Sequence, residues 1–85
     1  MNIQLRFFAS IREALGASQE AVALPSGIST VGELRGFLRE RGENWAAVLA
    51  PQRSLRMACN QMMADEATPL TDGCEVAFFP PVTGG

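Results

Sequence analysis

The chain has only one helix-forming stripe of real length, between residues 30 and 42, and that stripe limits what it can fold into. Thr30-Val31-Gly32-Glu33 is a capping box, the pairing of an N-cap hydroxyl with a glutamate three residues on. Val31, Leu34, Phe37 and Leu38 then recur at helical spacing, while Arg35, Arg39, Glu40 and Arg41 read as the wet side. Gly32 and Gly36 each weaken the helix by about 1 kcal/mol against alanine, and Gly42 reads as its stop. A single amphipathic helix must bury its stripe against another layer. Most of the remaining apolar sequence is strand-like, so that layer is a sheet.

The strands follow from period-two alternation. Residues 2–9 place Ile3, Leu5 and Phe7 on one face and Gln4, Arg6 and Phe8 on the other. Ser10-Ile11-Arg12-Glu13 reads as a second capping box, opening a short helix that Gly16 closes. Residues 20–24 form the next strand, with Val22 and Leu24 inward, and Pro25-Ser26-Gly27 turns the chain. After the main helix, a short helical piece over 44–50 carries Trp45, Val48 and Leu49 as core residues, and Pro51 ends it. Leu55, Met57 and Cys59 share one face of a third strand. Asn60-Gln61 fits a two-residue hairpin turn, and Met62 and Met63 return from it as packing residues. Residues 74–79 are the last strand, with Val76 and Phe78 on one face and Ala77 and Phe79 on the other. The simplest solution is a β-grasp: a mixed sheet whose first and last strands run parallel at its centre, joined by right-handed crossover, with the main helix on one face. In that register Phe8 and Phe79 share the opposite face with Ala58 and Ala77, and clustered exposed aromatics mark a partner surface.

The last strand runs into Pro80-Pro81-Val82-Thr83-Gly84-Gly85. Neither proline has an N–H for a sheet ladder, and a proline pair favours stiff extended geometry. Two glycines without side chains follow. The expected organisation is a domain over 1–81 and an extended tail over 82–85, a thin probe ending in a carboxylate.

Composition narrows the function. At 85 residues, 47% hydrophobic and 19% charged, the chain suits one globular domain. A net charge of −2 argues against a nucleic-acid binder, which carries a basic stripe. No apolar run approaches the roughly 18 residues of a membrane span. The sequence opens straight into a strand, so no leader and a cytoplasmic location are expected. There is no histidine, hence no imidazole base or ligand, and no metal site is expected. Cys59 and Cys74 fit no metal or redox spacing and read as inert core thiols. All seven basic residues are arginines. Coding bias accounts for that, and it also leaves an activated C-terminus no side-chain amine of its own chain to acylate.

Three stretches carry a family resemblance: Phe7-Phe8-Ala9-Ser10-Ile11-Arg12-Glu13-Ala14-Leu15-Gly16, the Asn60 hairpin, and Pro69 through to Phe78-Phe79-Pro80-Pro81-Val82-Thr83-Gly84-Gly85. The chain resembles the small subunits of molybdopterin synthase, the MoaD-type ubiquitin-like sulfur carriers, over essentially its whole length. Carriers for thiamine synthesis also end in Gly-Gly but usually lack the Phe-Phe-Pro-Pro lead. The resemblance implies that Gly85 is adenylated by an ubiquitin-activating-like enzyme that uses ATP, and is then converted by a sulfur donor to a thiocarboxylate. It implies that Gly84 and Gly85 enter a narrow channel of the large subunit, where sulfur passes to the cyclic pterin precursor to build the molybdopterin dithiolene. Phe8, Phe79, Pro80, Pro81, Val82 and Thr83 are the implied partner-binding residues. The implied assembly has two small and two large chains, and no cofactor is held permanently. A carrier for thiazole synthesis and an ubiquitin-like protein modifier are the alternative readings.

Overall fold

The computed structural model describes residues 1–81. Val82, Thr83, Gly84 and Gly85 lie outside the described residues, and with them the expected tail. In chain order the elements are β1 (Asn2–Phe7), α1 (Ala9–Leu15), β2 (Gln19–Ala23), α2 (Val31–Arg39), α3 (Glu43–Val48), β3 (Arg56–Cys59), β4 (Met62–Ala64) and β5 (Glu75–Phe79). The sheet order is β2-β1-β5-β3-β4. β1 and β5 pair in parallel, and the other pairings are antiparallel. This is the mixed five-stranded β-grasp that the alternation predicts.

The core lies between the sheet and α2. Ile3, Leu5, Phe7, Val76 and Phe78 from the two central strands and Val31, Leu34 and Leu38 from α2 are all fully buried. Each such side chain contributes about 1.5–3 kcal/mol by leaving water. Phe7 stacks on Phe78 with ring centroids 6.0 Å apart, and Trp45 meets Phe7 edge-on at 5.7 Å. Trp45 is thus a half-buried wall of the core, as expected, with the Arg41 guanidinium 4.7 Å from its ring centroid.

The capping box of α2 forms as predicted. The Glu33 N–H donates to Thr30 Oγ1 at 3.2 Å, while Glu33 Oε1 accepts from the N–H groups of Ser29 and Thr30 at 2.8 and 3.1 Å. A cap of this kind is worth about 1 kcal/mol. The hydrogen bonds from Ser29, then those from Thr30, hold the Glu33 carboxyl below the usual carboxylate range. Gly32 has a separate reason to be glycine. Its N–H donates to the Glu66 carbonyl at 2.9 Å, and a Cβ there would stand 2.8 Å from the Glu66 Cβ.

Several local expectations are corrected. Ser10 caps nothing: α1 begins at Ala9 with Phe8 as its N-cap and no side-chain cap. The ladder runs one residue past β1, because the Phe8 N–H donates to the Phe78 carbonyl at 3.2 Å. The chain then turns at once, with Ala9 at φ 51°, and the Phe8 carbonyl accepts from Ile11 and Arg12. Gly42 does not end α2, whose C-cap is Glu40. It instead opens α3, its carbonyl accepting from Ala46 at 2.9 Å. Arg35 leaves the wet side and is only 6% exposed. Its guanidinium donates to the carbonyls of Leu49 at 2.8 Å, Arg53 at 3.2 Å and Ala50, so it pins the turn after α3 onto α2. Met62 and Met63 are not packing residues but are 73% and 62% exposed. They sit on a three-residue edge strand at the sheet margin.

Candidate functional site

Period-two alternation carried along the observed register assembles one patch on the sheet face opposite α2. Phe8 is extended and still bonded to β5, so its side chain points away from buried Phe7. On β5, Ala77 and Phe79 alternate with buried Val76 and Phe78. On β3, Ala58 pairs with Ala77 and Arg56 with Phe79. On β4, Met63 pairs with Ala58. The Phe8 and Phe79 rings meet edge to face, centroids 6.4 Å apart and planes at 85°. Phe8 is 40% exposed and Phe79 half-buried. The two alanines form a flat floor between them and Met63, being 8% and 9% exposed. The expected cluster of Phe8, Phe79, Ala58 and Ala77 is therefore present, and Met63 extends it.

Met63 was legible in principle. A two-residue turn at Asn60-Gln61 fixes the hairpin register, with Asn60 and Gln61 both at positive φ, 50° and 68°. Counting back from that turn puts Met63 opposite Ala58 and so on the outer face. Asn60 also holds the hairpin to the start of β5: its side-chain Oδ1 accepts from the Glu75 N–H at 3.0 Å, and its backbone N–H donates to the Glu75 carbonyl at 2.8 Å.

Charge sits at the edge of the patch. Arg6 lies on the same face, its guanidinium 5.7 Å from the Phe8 ring centroid and Nη1 3.4 Å from Glu75 Oε2. The patch lies where the chain leaves the sheet. β5 ends at Phe79, Pro80 is half-buried and Pro81 is exposed and outside any strand. Of the site residues predicted from sequence, the structure thus brings together Phe8, Phe79, Pro80 and Pro81. Val82, Thr83, Gly84 and Gly85 lie outside the described residues.

The two thiols lie apart from this patch. Cys74 is buried and Cys59 half-buried. Cys59 pairs with Val76 and so faces the core side. Burial, and then the neighbouring Cys74 thiol, push the Cys59 thiol above its ordinary value, which keeps it a thiol rather than a nucleophilic thiolate. Among the described residues no cluster of three or more His, Cys, Asp or Glu side chains could hold a metal ion. Nor is any helix among them long and apolar enough to cross a membrane.

The sequence model of the ThiS family matches residues 5–85. The molybdopterin synthase sulfur carrier subunit of Escherichia coli is 43% identical over 83 residues, 98% of this chain and 99% of that protein. The subunit of the same name from Haemophilus influenzae is 36% identical over the same shares of both chains. Among solved structures, a chain in the complex of subunits 1 and 2 of molybdopterin-converting factor from Helicobacter pylori superposes with a TM-score of 0.68 at 28% identity, each chain covered in full.

Proposed function

The chain belongs to the ThiS family, and from that premise we propose that it is the sulfur carrier subunit of a molybdopterin synthase. The observation that carries this reading is a partly exposed aromatic pair, Phe8 and Phe79, at the end of the strand that the sequence follows with Pro80-Pro81 and then Gly84-Gly85. Full-length relatives named as such carriers support it.

The chemistry follows from the terminal carboxylate. Its ordinary pKa is about 3.3–3.7, so at neutral pH Gly85 is ionised and a poor electrophile. An adenylating partner joins a carboxylate oxygen to the α-phosphorus of ATP, and pyrophosphate leaves. Hydrosulfide released by a sulfur donor then attacks the glycyl carbonyl, AMP leaves and the thiol proton is lost to water, which yields the thiocarboxylate. Sulfur is the better nucleophile of the two terminal atoms, as thiolates generally are. In the large subunit that sulfur bonds to the pterin precursor, and water then cleaves its bond to the glycyl carbonyl and restores the Gly85 carboxylate. A dithiolene holds two sulfurs, so two loaded carriers are consumed for each, in keeping with an assembly of two small and two large chains. Phe8 and Phe79 seat the carrier, Pro80 and Pro81 hold the tail off the sheet, and Val82, Thr83 and the two glycines thread the channel. With no Cβ, Gly84 and Gly85 let that channel close tightly on the backbone. The carrier brings the sulfur, and the pocket that binds pterin belongs to its partner.

The deciding experiment is the intact mass of the chain isolated from its own host. A shift equal to one oxygen replaced by sulfur, localised to Gly85, is expected. Purified carrier that never gains sulfur, or that is found joined by Gly85 to lysines of other proteins, overturns the reading in favour of a binding module or a protein modifier. Thiazole synthesis is distinguished by adding the loaded carrier to each pathway's acceptor enzyme.

A further inference from the structure

The side chains hold four thioether sulfurs and two thiols, and the fold opens them to solvent very unequally. Met57 and Cys74 are buried, and Cys59 is half-buried. Met1, at the start of β1 and far from Phe8, is 45% exposed, while Met62 and Met63 stand at 73% and 62%. The thiols are poor targets for an oxidant, because thiol oxidation runs through the thiolate and Cys59 is held as a thiol. A thioether has no proton to lose, so exposure ranks the methionines. Met62 and Met63 differ in the face they occupy. Met63 pairs with Ala58, whose β5 partner is Ala77, and so stands on the outer face beside the alanine floor. Met62 pairs with Cys59, which faces the core side, and so lies on the other side of the sheet. Both belong to a three-residue edge strand and neither packs into the core, so a change of polarity at either one spares the fold.

We propose that Met63 is an oxidative modification site, at which a peroxide converts the thioether to the sulfoxide and thereby reversibly weakens binding by the outer face. This rests on the carrier reading above, in which that face meets the large subunit of molybdopterin synthase. The Met63 sulfur gives an electron pair to one oxygen of hydrogen peroxide. An S–O bond forms as the O–O bond breaks, and the proton of the transferred oxygen leaves with the departing hydroxide as water. Sulfur is oxidised by two electrons and the peroxide is reduced. The product puts a strong hydrogen-bond acceptor where a soft apolar side chain stood. Apolar partner surface that covers Met63 must then strip water from this oxygen, which weakens binding about tenfold. Methionine sulfoxide reductases undo the change: two thiols become a disulfide, and the thioether and water are returned. Met62 takes the same oxygen without consequence for the outer face.

The test treats the full chain with hydrogen peroxide, removes the peroxide, and titrates the large subunit from the same organism by calorimetry. Peptide mass mapping is expected to place oxygen on Met62 and Met63 well before Met57. The treated wild type and treated Met62→Leu are expected to bind about tenfold more weakly than their untreated forms. Treated Met63→Leu, which keeps Met1 and Met62, is expected to bind as it does untreated. Incubation with both sulfoxide reductases and a thiol should restore the wild type, and the denaturation midpoint should be the same before and after oxidation. Met57 oxidised as fast as Met63, unchanged affinity of a chain fully oxidised at Met63, or an equal loss in Met63→Leu overturns the proposal and leaves the carrier reading intact. A lowered midpoint in the oxidised chain overturns it too, by moving the effect from the face to the fold. An untreated wild type that never binds the large subunit overturns the carrier reading, and the proposal with it.

Discussion

Phe78 and Phe79 are neighbours in sequence with opposite duties, and truncating each in turn separates them. Phe78 is fully buried and stacked on Phe7. Phe78→Ala leaves a cavity between sheet and helix and should cost about 3–5 kcal/mol. That is a large share of the roughly 5–15 kcal/mol available to a small domain. At about 4–8 °C per kcal/mol, the melting temperature should fall by tens of degrees, or the chain should fail to fold. Phe79 is half-buried and loses chiefly its edge-to-face contact with Phe8, worth about 0.5–1.5 kcal/mol. Its larger effect should fall on docking, where loss of an aromatic anchor costs about 2 kcal/mol or more, roughly thirtyfold in Kd. Thermal denaturation followed by circular dichroism reads the first quantity, and titration calorimetry with the large subunit reads the second. A Phe79→Ala variant with a collapsed midpoint and unchanged affinity would refute the assignment of Phe79 to the outer face.

Three further outcomes are expected. Deleting Gly85 should abolish sulfur transfer in a reconstituted synthase assay while leaving the denaturation midpoint unchanged, and normal transfer by the shortened chain would sink the carrier mechanism. Gly36→Ala should stabilise the domain by up to about 1 kcal/mol, because the space above Gly36 is open. Gly32→Ala, forced against Glu66, should instead destabilise it by about 1–3 kcal/mol in urea unfolding. The Arg41 guanidinium grips both oxygens of Glu20, at 2.8 and 2.6 Å, and holds its carboxyl below the usual range. A depressed carboxylate stabilises the fold above its unfolded pKa of about 4.3 and loses that contribution as pH falls through the folded value. With both side chains partly exposed the term is at most about 1 kcal/mol. Glu20→Gln, which spares the Arg41 contact with Trp45, should therefore lower the midpoint at neutral pH and match wild type in acid.

Much of this architecture was legible because its signals are local and periodic. Ile3, Leu5 and Phe7 against Gln4, Arg6 and Phe8 already state which face is wet, and Thr30 with Glu33 states where the helix starts. What stayed hidden depends on distant parts of the chain. Arg35 looks like a solvated arginine until the turn after α3 folds across it with three carbonyls to satisfy. Ser10 has the residue type and spacing of a cap. The ladder bond from Phe8 to Phe78, made across seventy residues, moves the helix start two positions earlier, from a Ser10 cap to a Phe8 cap. Met62 and Met63 have core composition, but a three-residue strand at the sheet margin gives them nothing to pack beneath.

The strand order also bears on how the chain comes into being. β5, the central strand, is the last of the described strands to be synthesised. Until it emerges, β1 with β2 and β3 with β4 are two separate ribbons, and an isolated two-stranded ribbon is marginal in water at best. Pairing β1 with β5 joins residues about seventy positions apart, a contact that no growing chain can make early. On a translating ribosome the sheet therefore stays open until residues 75–79 have emerged. A polypeptide stopped short of residue 75 lacks the strand that closes the core, so stalled fragments should be proteolysed rather than accumulate.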